Sequence, residues 1–263
     1  EAEGGMLAAI EKGMVQKIVS DSAAQRKAKF AQRKEVLVGV NRYPVLGESY
    51  QVPEKKSARP GAPLVRKQPI EGPIDSVEAV IKAAKMGADA REINAILREG
   101  AVETAVPQLS FEHSPRDAFA QLRYLANYFA KENGRLPQIF ALNLGDLPRH
   151  KPRTEFAREF VGVGGFELLD EGRWQTAETA VSAALASSAD AAIICGHDDD
   201  YPELVPDIAR LLKEKRPSFP LLLAGYPKAH IEAFQAAGVD QFIHLRANCL
   251  EINQWLQQRI IGR

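Results

Sequence analysis

The chain has 263 residues, 45% of them hydrophobic, enough for one large domain or two small ones around a buried core. Its 34 basic and 34 acidic side chains cancel at pH 7, which argues against a nucleic-acid binder built on a basic surface and against a polybasic membrane face. No apolar run approaches the roughly 20 residues of a membrane span, and two cysteines, Cys195 and Cys249, are too few for a disulfide framework or a structural zinc site, so a reducing cytoplasm or organelle matrix fits.

The chain opens on Glu1-Ala-Glu-Gly-Gly, with neither an initiator methionine nor a basic-then-apolar leader, and reads as a piece of a longer protein. Residues 1–43 read as helix, helix, strand. Ser20-Asp21-Ser22 offers capping chemistry before the charged run Gln25–Lys34. Glu35–Val40 is short and Val-rich, which predicts a buried strand, and its Gly39 suggests close approach of another backbone. One strand makes no sheet, so this piece needs partners. Pro44–Pro73 carries six prolines and Lys55-Lys56, a composition that resists regular structure and suits either an extended strap or a disordered tether. Helices follow over Asp75–Lys85, Asp89–Arg98 and Ser114 to about Lys131. The last opens with a capping Ser and Pro115 in the first turn, and Asn133-Gly134 stops it.

From Pro137 strands and helices alternate five times. The strands are Gln138–Leu142, Phe166–Leu169, Ala191–Ile194, Phe219–Leu223 and Gln241–Ile243. The helices are Arg153–Val163, Ala177–Ser187, Tyr201–Glu214, Ala229–Ala237 and Cys249–Arg259. The strands are apolar with little alternation, as in a parallel sheet covered on both faces. Asp200-Tyr-Pro-Glu203 and Asn248-Cys-Leu-Glu251 have capping-box spacing. The expected fold is a flavodoxin-like doubly wound five-stranded parallel sheet over 137–263.

Such sheets bind ligands beyond the carboxyl ends of their strands. The loops there are Asn143–Pro152, Asp170–Thr176, Cys195–Asp200, Ala224–Pro227 and His244–Ala247, and His150, His197, His230 and His244 lie in or near this half. His197-Asp198-Asp199-Asp200 has metal-like composition, but Asp200 as a helix cap and Asp198 and Asp199 beside the helix dipole account for it more simply, so no metal site is expected. Cys195 at a strand end lacks a His/Asn pair and reads as a small buried apolar residue. The loop after the first strand has one Gly and two Pro, a poor phosphate cradle, and its Arg149, Lys151 and Arg153 read as a solvated basic loop.

The order of parts resembles the methylmalonyl-CoA mutase family. The stretch Lys34-Glu-Val-Leu-Val-Gly-Val-Asn-Arg-Tyr43 with its preceding helix resembles the end of that family's (β/α)8 barrel. Residues 44–136 resemble the belt after the barrel, and 137–263 the cobalamin-binding domain. In the family an Asp-x-His-x-x-Gly motif after the first strand supplies the lower cobalt ligand, and the Asp tunes the His. Here the matching positions are Leu147, Arg149 and Pro152; His150 is one residue off. Arginine stays protonated and cannot ligate cobalt. The family's Ser-x-Leu falls at Cys195-Gly-His197 and its Gly-Gly at Ala224-Gly225. All three elements that accommodate the cofactor's nucleotide tail are altered. The resemblance therefore implies the small, beta-type subunit of a heterodimeric mutase, part of an isomerase yet itself catalytically silent. It would bind no cofactor and pair with a catalytic large subunit that carries adenosylcobalamin and interconverts methylmalonyl-CoA and succinyl-CoA. Two other readings stand beside it: a working cobalamin module with His150 as offset ligand, and a flavodoxin-like nucleotide binder.

Overall fold

The computed structural model describes residues 4–48, 76–98, 105–109 and 115–262. The chain divides into two units, residues 1–18 with 51–109 and residues 19–50 with 110–263. The first contains α1 (Gly5–Glu11), the first residues of α2 (Met14–Ala31), α3 (Val77–Lys85) and α4 (Ala90–Arg98). Local capping sets these ends. The Ala79 N–H donates to Ser76 Oγ at 3.2 Å. Asp89 Oδ1 accepts from the N–H groups of Arg91 and Glu92, and Glu92 Oε2 accepts from the Asp89 N–H, a reciprocal box.

The second unit holds α5 (Pro115–Asn133), then β1 (Gln138–Asn143), α6 (Leu147–Gly162), β2 (Glu167–Leu169), α7 (Ala177–Ala186), β3 (Ala191–Cys195), α8 (Tyr201–Lys215), β4 (Leu221–Ala224), α9 (Ile231–Ala237), β5 (Gln241–Ile243) and α10 (Cys249–Ile260). The five strands form one parallel sheet in the order β2-β1-β3-β4-β5. Apolar residues face both ways, which is why the strands show no alternation. Ile139, Ala141, Ile193, Cys195, Leu222 and Ala224 join Phe119, Phe160 and Leu256 on one face. Phe140, Leu142, Ile194, Leu221 and Leu223 join α7, α8 and Phe234 on the other. The expected flavodoxin-like doubly wound sheet is the fold. Among the described residues no helix is long and apolar enough to cross a membrane.

Several local expectations are corrected. Val36–Val40 is not a strand. Val36, Leu37 and Val38 are exposed, and Val38 makes only an isolated bridge to Arg42. The segment turns on itself: the Gly39 N–H donates to Arg42 O at 2.8 Å, and Asn41 is buried with its amide on Phe30 O and Glu35 O. Gly39 serves its left-handed φ of +74°, since a Cβ there would meet nothing within 4 Å. Ser20-Asp21-Ser22 lies inside α2, not at a helix start. α6 begins at Leu147, six residues before the expected Arg153, with proline in its first turn where the missing N–H costs nothing. Most of the proline-rich strap, the 49–73 part, and the capping Ser114 lie outside the described residues.

Candidate functional site

The strand order reverses between β1 and β3, so the carboxyl ends of these strands form the crevice where such folds take ligands. Asn143 and Cys195 are register partners there. Asn143 is fully buried and its side chain is used up by the protein. Nδ2 donates to Asp170 Oδ1 at 2.7 Å and Gly172 O at 2.9 Å, and Oδ1 accepts from Thr154 Oγ1 at 2.6 Å. Burial pushes the Cys195 thiol up to about 12, so it stays protonated at neutral pH and is no nucleophile.

One residue dominates the neighbouring β3–β4 end. Tyr201, the first residue of α8, is fully buried. Its hydroxyl donates toward Ala224 O (2.7 Å) and Gly196 O (2.9 Å) and accepts from the Gly196 N–H at 3.1 Å. The ring lies against two glycines: a Cβ on Gly196 or on Gly225 would stand 3.1 Å from it. Both strand ends have therefore given up side chains to admit a phenol from the chain itself. Tyr201 went unnoticed in the sequence beyond its place at a helix start. Its spacing from Cys195-Gly196 and Ala224-Gly225 was the available signal.

The amino end of α6 is tied down by ion pairs. Arg149 grips Asp200 with two hydrogen bonds, Nε to Oδ2 at 2.9 Å and Nη2 to Oδ1 at 2.7 Å. This hydrogen bond, with the adjacent guanidinium charge, holds the Asp200 carboxyl below its ordinary range. Asp200 makes no side-chain cap to α8, which corrects the capping-box expectation; Asn248 does cap α10, accepting from the Glu251 N–H at 3.2 Å. Arg153 pairs with Asp198 at 2.9 Å and Lys151 with Glu155 at 2.7 Å. These cations sit on a helix and are paired, so the solvated basic loop is corrected as well.

Of the expected positions, Leu147 is exposed, while His150 is buried in α6 with Nδ1 3.1 Å from Gly145 O. Pro152 is inside the same helix. His197 is half exposed beside Asp199, its Nδ1 3.1 Å from Oδ2. Ala224 and Gly225 end β4 against Tyr201. His230 stacks on Phe234, and His244 packs on Tyr226 with ring centroids 4.4 Å apart. Among the described residues no three His, Cys, Asp or Glu side chains converge as a metal would need.

The open space at this edge lies past β4 and β5. A cleft of about 560 Å³ is lined by Arg153, Phe156, Tyr226, Lys228, His244 and Arg246, with Asp198 and Leu245 completing its wall. Burial and the charge of Arg246 lower the pKa of His244, which keeps its ring neutral at pH 7.

The fold and this edge define a doubly wound α/β domain in which the β3–β4 strand ends, next to the β1–β3 crevice, are filled by the chain's own tyrosine. The family model described as Methylmalonyl-CoA mutase matches residues 1–69. The chain is 24% identical over 251 residues to the methylmalonyl-CoA mutase small subunit of Porphyromonas gingivalis, covering 95% of this chain and 33% of that one. It is 26% identical over 243 residues to the small subunit of Streptomyces virginiae, covering 91% and 32%. A cobalamin-binding protein of Desulfitobacterium hafniense superposes with a TM-score of 0.38 at 19% identity, covering 68% of this chain and 82% of that one. The chain spans about a third of the length of these curated relatives. The resemblance read from the sequence is thus found over nearly the whole chain.

Proposed function

We propose that this chain is the carboxyl-terminal part of the small, non-catalytic subunit of a heterodimeric methylmalonyl-CoA mutase, and that it holds no cobalamin. In this reading residues 1–43 end a (β/α)8 barrel, 44–136 form the belt, and 137–263 are a cobalamin-binding-like domain. The match of the family model over residues 1–69 supports the first of these. The relatives' designation as small subunits supports pairing with a large catalytic subunit, which would carry adenosylcobalamin and perform the isomerisation.

The observation that carries the cofactor reading is Tyr201. By the resemblance, the stretches at Cys195-Gly196-His197 and Ala224-Gly225 would correspond to those that accommodate the nucleotide tail; the Tyr201 ring packs between Gly196 and Gly225. The lower-ligand position agrees. Arg149 is committed to Asp200, and His150 is buried within α6 rather than presented at the surface where a cofactor would approach. The residues present do not fit cobalamin. The role left is packing and assembly. The test mixes the chain with excess adenosylcobalamin, desalts it and records the visible spectrum. No chromophore is expected to remain. A retained spectrum of histidine-coordinated cobalamin that disappears in His150→Ala would overturn the reading in favour of the offset ligand.

A further inference from the structure

We propose that the cleft past β4 and β5 is a binding site for a phosphorylated ligand with a flat ring, of the nucleotide class. This proposal does not depend on the subunit assignment. The cleft's volume, about 560 Å³, lies within the ~300–1,000 Å³ range of small-molecule sites.

Its charge is unbalanced. Arg153 is matched by Asp198, but Lys228 and Arg246, both exposed on the rim, have no ion-pair partner among the described residues. A small adjoining cavity of about 60 Å³ shares Phe156, His244 and Leu245 with the cleft and is bounded by Arg33 and Arg42. These two guanidiniums share one carboxylate, Glu159, at 2.9 Å and 2.8 Å, so one positive charge there is uncompensated. The Arg33 side chain is only 9% exposed, and its Nη1 is a buried donor with no hydrogen-bond partner among the described residues. A buried donor left unpaired is costly, and an anion or the water it orders is its natural complement. The cleft thus has two cations without an ion-pair partner among the described residues at its mouth, and an adjoining small cavity is bounded by a guanidinium with one unpaired buried donor.

The remaining wall selects the rest of the ligand. Tyr226 is 47% exposed and packs, tilted, on the neutral His244 ring, which lines the same cleft. The cleft thus has exposed aromatic surface beside its cations, the combination that stacks a base while lysine and arginine hold its phosphates. A bare anion would use the charges alone; a ring without phosphate would use Tyr226 alone. Only a ligand with both engages the whole cleft.

The test titrates the full chain with ADP, inorganic pyrophosphate and adenosine by calorimetry, and follows the His244 ring by NMR. ADP is expected to bind most tightly and to weaken as salt rises. Lys228→Ala with Arg246→Ala should weaken ADP about tenfold or more, and Tyr226→Ala should weaken ADP while leaving pyrophosphate unchanged. These side chains are exposed at the rim, and unchanged tryptophan fluorescence of the variants serves as the folding control. Absence of saturable ADP binding at millimolar concentration would overturn the proposal. So would ADP binding that the double variant leaves intact, or adenosine binding as tightly as ADP. If ADP does not bind and the double variant fails to associate with a large subunit, the cleft is a protein interface and the proposal also falls.

Discussion

Replacing Tyr201 by phenylalanine removes one oxygen atom from the middle of the β3–β4 edge. The hydroxyl has two buried carbonyls to donate to and one buried N–H to accept from, all on Gly196 and Ala224. Phenylalanine keeps the ring and its packing but strands the Gly196 N–H and the Ala224 carbonyl away from water. Leaving buried polar groups unpaired costs about 1–3 kcal/mol. Tyr201→Ala loses the same bonds and also opens a cavity against Gly196 and Gly225, which raises the cost to about 3–5 kcal/mol or more. The assay is equilibrium urea unfolding read by tryptophan fluorescence, because both tryptophans, Trp174 and Trp255, pack on the faces of the sheet. With a urea m-value of about 2 kcal/mol/M, Tyr201→Phe lowers the midpoint by about 0.5–1.5 M. The Gly196 amide, protected by that oxygen, should exchange faster in the same variant. A Tyr201→Phe change within about 0.5 kcal/mol of wild type, with Gly196 exchange unaltered, would refute the account of Tyr201 as a bonded plug.

Three further outcomes are expected. Leu147→Asp with Arg149→His and Pro152→Gly rebuilds the ligand motif but should bind cobalamin weakly at best while Tyr201 remains; tight binding seen by retained visible absorbance would mean that the tail space survives. Burial pushes the Glu159 carboxyl up, but the hydrogen bond from Arg42 and the charges of Arg33 and Arg42 outweigh it and hold the pKa below the ordinary value. A depressed pKa gives stability that is present above about pH 4.3 and is lost as pH falls through the native value, so urea midpoints from pH 7 to pH 3 should fall more steeply in wild type than in Glu159→Gln; parallel curves would remove Glu159 from that role. Cys195 and Cys249 are buried with thiols pushed up to about 12, so neither should react with a disulfide reagent at pH 8 until urea is added, and rapid labelling of the native chain would contradict their burial.

The alternating half was legible residue by residue because its signals are local. Apolar runs of strand length and the Asn248 cap each act within a few positions, and both recur in the structure. The degenerate ligand positions, Leu147, Arg149 and Pro152, could likewise be named from spacing alone. Where the sequence misled, a side-chain contact outside the segment itself decided. Val36–Val40 is apolar enough for a strand, yet a strand needs another strand's N–H and C=O groups, and the buried Asn41 amide instead folds that segment onto Phe30 and Glu35. Asp200 has the right spacing to cap α8, but Arg149, 51 residues earlier, offers a charged double hydrogen bond that a backbone N–H cannot match. Tyr201 looks like any first residue of a helix until parallel pairing of β3 with β4 brings Gly196 and Gly225 to either side of its ring. Secondary structure follows from periodicity and capping, which the chain carries within one or two turns. The content of the crevice depends on which strand ends lie side by side, and that is set only when the sheet closes its register.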